Sequence, residues 1–350
     1  SFVRQAIPNI LTAASGTLIE LANVLAVSST GDSATVAGVG LGNTVLNACL
    51  VSVGLGLASG LDTLVPQALG GGDRRLASVY LLRARCVTTA YCVMILPLLG
   101  LTETLLVAIG QDALVAKHAG AYVVASTCGA WQFYQAATTS TFLQNASRAA
   151  AAAYVQVIVL LCHFFWVWLF VLRWDWGPRG AGAANCATWT VRMAVVHVML
   201  LLEGPAIGLK SAWLLPSRDG LRQWGAYLKI AFPAAVQTVL EFWFIELMTF
   251  FVGYLGPSAL AAHTYLSQVA IQAFVPCTGF ANTAPTLVGS ALGAGDVNRT
   301  WRCVGVAAAL SVVCWVPIAA TLWWAPVATW LAPDASVQPL LSKVIRLFAV

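Results

Sequence analysis

Two glutamates within one long apolar segment have the clearest capacity for chemistry. Glu241 and Glu246 lie in the segment 226–253, whose other residues are mostly hydrophobic or small. An ionisable group inside an apolar span is costly to place there and is usually functional. A carboxyl in that position can bind a proton from one side and release it to the other. The alternative role is a structural acid paired with an arginine or a tyrosine.

Aromatic side chains follow the first of these acids. Phe242 and Trp243 come directly after Glu241, and an aromatic face beside a carboxylate suits a flat organic cation. Packing, or anchoring at a membrane interface, is the alternative role for such aromatics. Glu246 lies about 140° around the helix from Glu241, so the two acids do not both point straight into one cavity. For Glu246, a direct role and a water-exposed or structural role both remain open.

The composition requires a membrane environment for these residues. Of 350 residues, 59% are hydrophobic and 9% are charged, whereas a soluble domain carries about a quarter charged residues. A cytosolic enzyme is therefore excluded. A membrane-spanning helix needs about 20 apolar residues, and continuous runs favour helices over the alternating strands of a barrel. The predicted spans are 7–28, 34–58, 77–101, 120–143, 150–172, 181–203, 226–253, 258–290 and 300–325, with 337–350 opening a tenth.

Charge indicates the orientation of the chain rather than a charged ligand. The net charge is +5, but twelve Lys and Arg residues, from Arg4 to Arg302, lie on one side of the predicted spans and four lie on the other. This bias follows the positive-inside rule and predicts that the N-terminus faces the cytoplasm. The expected location of the protein is the plasma membrane or an organelle membrane. No nucleic-acid partner is expected. The nine cysteines form no C-x-x-C pair, so neither a metal nor a bound cofactor is predicted.

Both ends of the sequence suggest a fragment of a longer protein. Ser1 is not an initiator methionine, and Val350 interrupts an apolar run that begins at Val344. A helix that ended there would leave backbone polar groups unsatisfied in lipid. We therefore expect the sequence to be a fragment of a longer protein, with helices 11 and 12 following Val350.

An internal repeat defines the organisation of the chain. Residues 63–73 read TLVPQALGGGD and residues 286–296 read TLVGSALGAGD, with identity at eight of eleven positions. Each copy ends an even-numbered span and six spans separate them, so both copies run in the same direction. Such repeats are typical of secondary transporters, whose substrate sites lie between the repeats. We predict an all-α polytopic membrane protein with two parallel-repeat six-helix bundles: an N-terminal bundle at 1–205, a cytoplasmic connector at 206–225 and a truncated C-terminal bundle at 226–350.

Three motifs in sequence order resemble the multidrug and toxic compound extrusion (MATE) transporters. The helix 2 motif occupies 51–70, and residues 288–295 are similar to the loop after helix 8 of this family. Residues 240–246, LEFWFIE, resemble the C-L-E-W-W-x-F-E of the eukaryotic members. The resemblance covers essentially the whole chain, from helix 1 into helix 10.

The resemblance implies roles for residues of the first half. Asp62, Thr63 and Gln67 belong to the helix 2 motif near the cytoplasmic end of the span. An aspartate followed by threonine can bond the local backbone and end a helix, which is mainly a structural role. Asn47 matches a polar position associated with ion or substrate handling. An intramembrane asparagine can equally bridge helices by hydrogen bonds.

In the second half, the resemblance implies an ion-coupling role for Glu241, with Glu246 as a second candidate. Phe242 and Trp243 are candidates for contact with substrate. Gln268 stands near a helix 8 position where some members carry an acid. We therefore expect a polar but non-titrating group at that place.

The implied function is export of small organic cations in exchange for H⁺ or Na⁺. The ion gradient would drive it without a cofactor, in a monomer surrounded by membrane lipid. A related flippase for lipid-linked saccharides would need a large cationic cavity, and the spans offer few basic groups beyond Arg192. An intramembrane enzyme is a third alternative, because 70–73 and 293–296 match the G-x-G-D of membrane aspartyl proteases. A turn explains this pattern better, since it lies in loops and recurs within the repeat.

Overall fold

The chain is helical throughout most of a computed structural model that describes residues 2–30, 33–208, 219–253, 257–325 and 338–349. No strand occurs within these ranges. Two π-helical turns, Asn47–Val51 and Trp168–Arg173, directly follow the helices that are labelled α2 and α9 below. The α-helices are α1 (Phe2–Thr30), α2 (Ser33–Leu46), α3 (Ser52–Ala58), α4 (Gly60–Gly70), α5 (Arg74–Gly100), α6 (Thr102–Ala108), α7 (Ala113–Thr127), α8 (Ala130–Asn145), α9 (Ala149–Val167), α10 (Gly177–Ile207), α11 (Trp224–Gly253), α12 (Pro257–Gly293), α13 (Val297–Trp324) and α14 (Gln338–Ala349).

Helices at every predicted span confirm the all-α membrane architecture. Of the predicted connector 206–225, residues 209–218 lie outside the described part of the chain. Within the described part, six helical segments are long and apolar enough to cross a membrane: Ala34–Gly70, Arg74–Gly100, Ala149–Arg173, Gly177–Ile207, Trp224–Met248 and Val297–Trp324.

The second span is longer than predicted. Instead of ending near residue 58, the helical path continues through α4 to Gly70. The prediction that Asp62 ends this helix is wrong, because α4 continues for eight residues beyond it. The carboxylate of Asp62 accepts a hydrogen bond from Asn145 on α8 rather than from the local backbone. It therefore joins two helices instead of terminating one.

The fourth span is broken between α7 and α8, where one continuous helix was expected over 120–143. A Cβ atom at Gly129 would lie 2.8 Å from the Cα atom of Cys186 on α10. The break therefore lies where two backbones come into direct contact. A short helix, α6, also precedes α7 outside the predicted spans.

The two copies of the repeat fold into the same turn. Gly72 and Gly295 adopt φ values of +82° and +73°, a conformation that glycine adopts without strain. The carboxylates of Asp73 and Asp296 accept hydrogen bonds of 2.8 Å and 2.9 Å from backbone N–H groups three residues ahead. They thereby cap the helices that follow. This geometry confirms that the G-x-G-D pattern is a turn.

These turns bring the two halves of the chain into reciprocal contact. A Cβ atom at Gly70 would overlap the carbonyl oxygen of Ser290, and a Cβ atom at Gly293 would overlap the carbonyl oxygen of Gln67. In the repeat, Gly70 corresponds to Gly293 and Gln67 to Ser290, so a pseudo-two-fold axis exchanges the two contacts. Ends that touch lie on the same side of the membrane, as parallel repeats require.

A second pair of contacts obeys the same symmetry farther along these helices. Gly56 of α3 packs on the backbone of Ala235 of α11, and Gly279 of α12 packs on Ile10 of α1. Gly56 and Gly279 are equivalent in the repeat, and both partners lie two residues after a proline. Small residues let helix backbones approach closely in lipid. The two halves therefore meet along lines of small residues.

We expect Gly293→Leu to separate the two halves, because the new side chain meets backbone atoms of Gln67 that cannot rotate away. Overpacking of this kind destabilises by about 1–3 kcal/mol. The measurement is the melting temperature and the monodisperse fraction on size-exclusion chromatography in detergent. Gly305→Leu on α13 is the matched control, since no atom lies within 4 Å of a Cβ there. Equal behaviour of the two variants would contradict the contact.

Candidate functional site

A polar cavity of about 310 Å³ lies between the two halves of the chain. This volume is in the range of small-molecule sites. Two of its lining residues are charged, Asp62 from α4 and Arg192 from α10. The N-terminal half supplies most of the wall, and α11 and α12 supply the rest. The other lining residues are mainly hydroxyl and amide side chains: Thr12, Leu55, Ser59, Ala137, Ser140, Thr141, Gln144, Asn145, Thr238 and Asn282.

A chain of hydrogen bonds crosses from one half to the other beside this cavity. Asn145 is buried, and its Nδ2 atom donates to Oδ1 of Asp62 at 2.6 Å and to the carbonyl of Thr141 at 2.9 Å. The hydroxyl of Thr286, in the second half, donates to Oδ1 of Asn145 at 3.1 Å. The two donor bonds fix the orientation of the amide. Asn145 therefore connects the carboxylate of Asp62 to α12.

One face of α11 lies against the start of the second span. The indole Nε1 atom of Trp243 donates to the carbonyl oxygen of Ala48 at 3.3 Å. The carboxyl of Glu246 lies near the Thr44 hydroxyl of α2. Glu241 is exposed and lies on a different face of the helix, consistent with the predicted separation of the two acids. The structure therefore brings Trp243 and Glu246, but not Glu241, to the contact between the halves.

The other predicted site residues have different surroundings. Asn47 is half-buried and begins a π-helical turn, a feature common at functional sites. Phe242 and Gln67 are half-buried and Thr63 is exposed. The side chain of Gln268 lies outside the described part of the chain. Apart from Asp62, none of the predicted site residues that the structure describes lines the cavity between the halves.

A second polar network joins helices within the N-terminal half. Nδ2 of Asn23 donates to Oδ1 of Asn185 at 2.8 Å, and Nδ2 of Asn185 donates to the hydroxyl of Tyr122 at 2.8 Å. All three side chains are buried. The three side chains are two amides and a phenol. The network therefore holds α1, α7 and α10 together without a carboxylate among these three residues. Buried polar networks of this kind specify how helices pack, although Oδ1 of Asn23 has no hydrogen-bond partner here.

Sequence reasoning identified Asp62 but missed its partners. Asn145 is separated from Asp62 by 83 residues, and Thr286 is separated from Asn145 by 141. The repeat gives one signal, because Thr286 is the equivalent of Thr63 in the helix 2 motif. The sequence marks Arg192 only as a basic residue within a span. Its place in the same cavity as Asp62 follows from the packing of α10.

These features define a class of protein: a polytopic helical membrane protein whose two parallel repeats enclose a polar cavity, as in secondary transporters. The MatE family model matches residues 8–169 and 233–348. The chain belongs to this family.

Named relatives agree with this assignment, and a solved structure shares the fold. The chain is 28% identical over 284 residues to Multidrug and toxin extrusion protein 1 of Danio rerio, which covers 80% of this chain and 46% of the relative. It is 26% identical over 324 residues to Multidrug and toxin extrusion protein 1 of Xenopus tropicalis, covering 89% and 54%. The chain thus spans about half the length of these curated relatives. The crystal structure of the eukaryotic MATE transporter AtDTX14 shares the fold, with a TM-score of 0.88 at 20% identity over 99% of this chain and 79% of that one.

We expect Asn145→Ala to lower the stability of the protein by about 1–3 kcal/mol, because it leaves Oδ1 of Asp62 without its donor. The measurement is unfolding in mixed micelles with increasing SDS. A double-mutant cycle with Thr286→Val should give a coupling of about 0.5–3 kcal/mol. Thr63→Val, at the exposed equivalent of Thr286, is the control and should be additive with Asn145→Ala. Additive effects of Asn145→Ala and Thr286→Val would contradict the bond between the halves.

Proposed function

We propose that the protein is a secondary active transporter that exports small organic cations in exchange for H⁺ or Na⁺. The observation that carries this proposal is the reciprocal contact of Gly70 and Gly293, which joins two like-oriented halves at one end beside a polar cavity. The names of the extrusion proteins among its relatives support small organic compounds as cargo. The ion gradient, and no bound cofactor, supplies the driving force.

The contact between the repeat turns acts as the closed gate of this conformation. We place this gate on the cytoplasmic side, together with the N-terminus, because the basic loops follow the positive-inside rule. Opening it requires Gly70 and Gly293 to leave the carbonyl groups that they touch, and Thr286 to leave Asn145. Neither glycine has a side chain to interlock, so the two bundles can separate as rigid bodies. Such rocking is a standard form of domain motion.

The acids of α11 couple this motion to the ion. Glu241 is exposed within a membrane-spanning helix, where it can exchange a proton or hold a cation. Glu246 lies beside Thr44 of the other half, so its charge affects the contact between the halves. Trp243 and Phe242 offer aromatic faces to an organic cation. Asn47 and Gln268 are the polar residues that we assign to substrate contact.

We expect Glu241→Gln to reduce the pH-dependent part of cation efflux by about tenfold or more, equivalent to about 1.4 kcal/mol of coupling. The reason is that the amide cannot release a proton or neutralise a bound cation. Efflux of a fluorescent organic cation from proteoliposomes, with an imposed pH or Na⁺ gradient, measures the effect. Glu246→Gln tests the second acid in the same assay.

Glu103→Gln is the control for these variants, because Glu103 is an exposed acid on the short helix α6 outside the long spans. It should transport like the wild type. Each variant must also elute as a monodisperse species, which separates loss of coupling from loss of folding. Wild-type transport by Glu241→Gln at every pH would remove that residue from the mechanism.

A further inference from the structure

Arg192 has no partner within the part of the chain that the structure describes. Its Nε atom is buried without a hydrogen bond, and neither ion pair of the described residues includes it. Arg192 is half-buried, and a charge that is partly removed from water without a counter-charge is unfavourable. The planar guanidinium group matches the geometry of a carboxylate. The side chain is therefore suited to a ligand that brings a carboxylate into the cavity.

Asp62 lines the same cavity and has one carboxylate oxygen available. Its Oδ1 atom accepts the hydrogen bond from Asn145 at 2.6 Å, whereas its Oδ2 atom has no hydrogen bond within the described residues. Asp62 and Arg192 do not form an ion pair there, since the two described ion pairs join other residues. The cavity therefore contains one negative and one positive group that do not neutralise each other directly.

The helices explain why these charges stay apart. Asp62 lies eight residues before the end of α4, and Arg192 lies fifteen residues before the end of α10. At 1.5 Å per residue these distances are about 12 Å and about 22 Å. Both helices end on the same side, because Gly208 after α10 contacts Arg74 after α4. The two Cα atoms thus differ in depth by about 10 Å, which side chains and a small ligand can span together.

We propose that this cavity binds a small zwitterion, with its carboxylate at Arg192 and its ammonium group at Asp62. A simple cation leaves Arg192 without a counter-charge, and a simple anion does the same to Asp62. A zwitterion balances both groups and adds no net charge to a low-dielectric site. The hydroxyls of Ser59 and Thr238, which also line the cavity, can bond the remaining polar atoms of the ligand.

A zwitterion is a narrower class of cargo than the organic cations proposed above. Its role as cargo rests on the proposed export function. The cargo would be an organic cation that also bears a carboxylate. Binding itself can be measured without transport. The two proposals can therefore fail separately.

The test is the melting temperature of purified protein in detergent at neutral pH with matched probes. In 6-aminohexanoate, five methylene groups separate the ammonium and the carboxylate. Hexylamine and hexanoate each retain one of the two charges, and glycine retains both at a shorter separation. We expect 6-aminohexanoate to raise the melting temperature by about 2–4 °C. The other three probes should raise it by less than half as much.

Variants assign the two ends of the site. Arg192→Gln and Asp62→Asn should each abolish the shift, and Arg192→Gln without ligand should melt at or above the wild-type temperature because an uncompensated charge is removed. Arg179→Gln, at an exposed arginine elsewhere, should retain the shift. Equal stabilisation by hexylamine, no shift with 6-aminohexanoate, or an unchanged shift in Arg192→Gln would overturn the proposal. If a variant does not fold, the four probes on the wild-type protein decide alone.

Discussion

The fold depends on the close approach of two helix ends, each at a glycine. Gly70 meets the backbone at Ser290 and Gly293 meets the backbone at Gln67, so no side chain separates the two halves there. Lipid tails are as apolar as the helices, and van der Waals contact between small residues is therefore a main source of attraction. The relative direction of the repeats and the position of the cavity follow from this contact.

The symmetry of the backbone is not matched by the polar side chains. Gly72 and Gly295 have similar φ values, and the turns around them are capped in the same way. Thr63 is nevertheless exposed, whereas its repeat equivalent Thr286 bonds to Asn145. Only a few small residues are needed to keep the backbone contacts. The remaining positions are free to differ, which lets the two halves carry different polar groups.

The sequence was sufficient to predict the architecture and only part of the site. Apolar length gave the spans, and the repeat gave their direction, because both depend on local composition and order. The bond between Asp62 and Asn145 could not be predicted, since it depends on the rotation and depth of two helices that are 83 residues apart. The break at Gly129 depends likewise on a contact with α10. To predict the cavity lined by Asp62 and Arg192, one needs both the order of the spans and the packing of helices that are distant in sequence.

In the proposed binding mode, Asp62 links the bound ligand to the contact between the halves. Its Oδ1 atom holds the amide of Asn145, and that amide accepts the hydrogen bond of Thr286. An ammonium group bound at Oδ2 would reduce the negative charge on Oδ1. The hydrogen bond that Oδ1 accepts from Asn145 would then be weaker. The amide could then turn away from Thr286, which loosens the closed end. Coupling of this kind is reciprocal, so separation of the halves must change the affinity for the ligand. The alternating access of the proposed transporter needs such a difference in affinity between conformations, and in this mechanism the half-buried carboxylate of Asp62 would supply it.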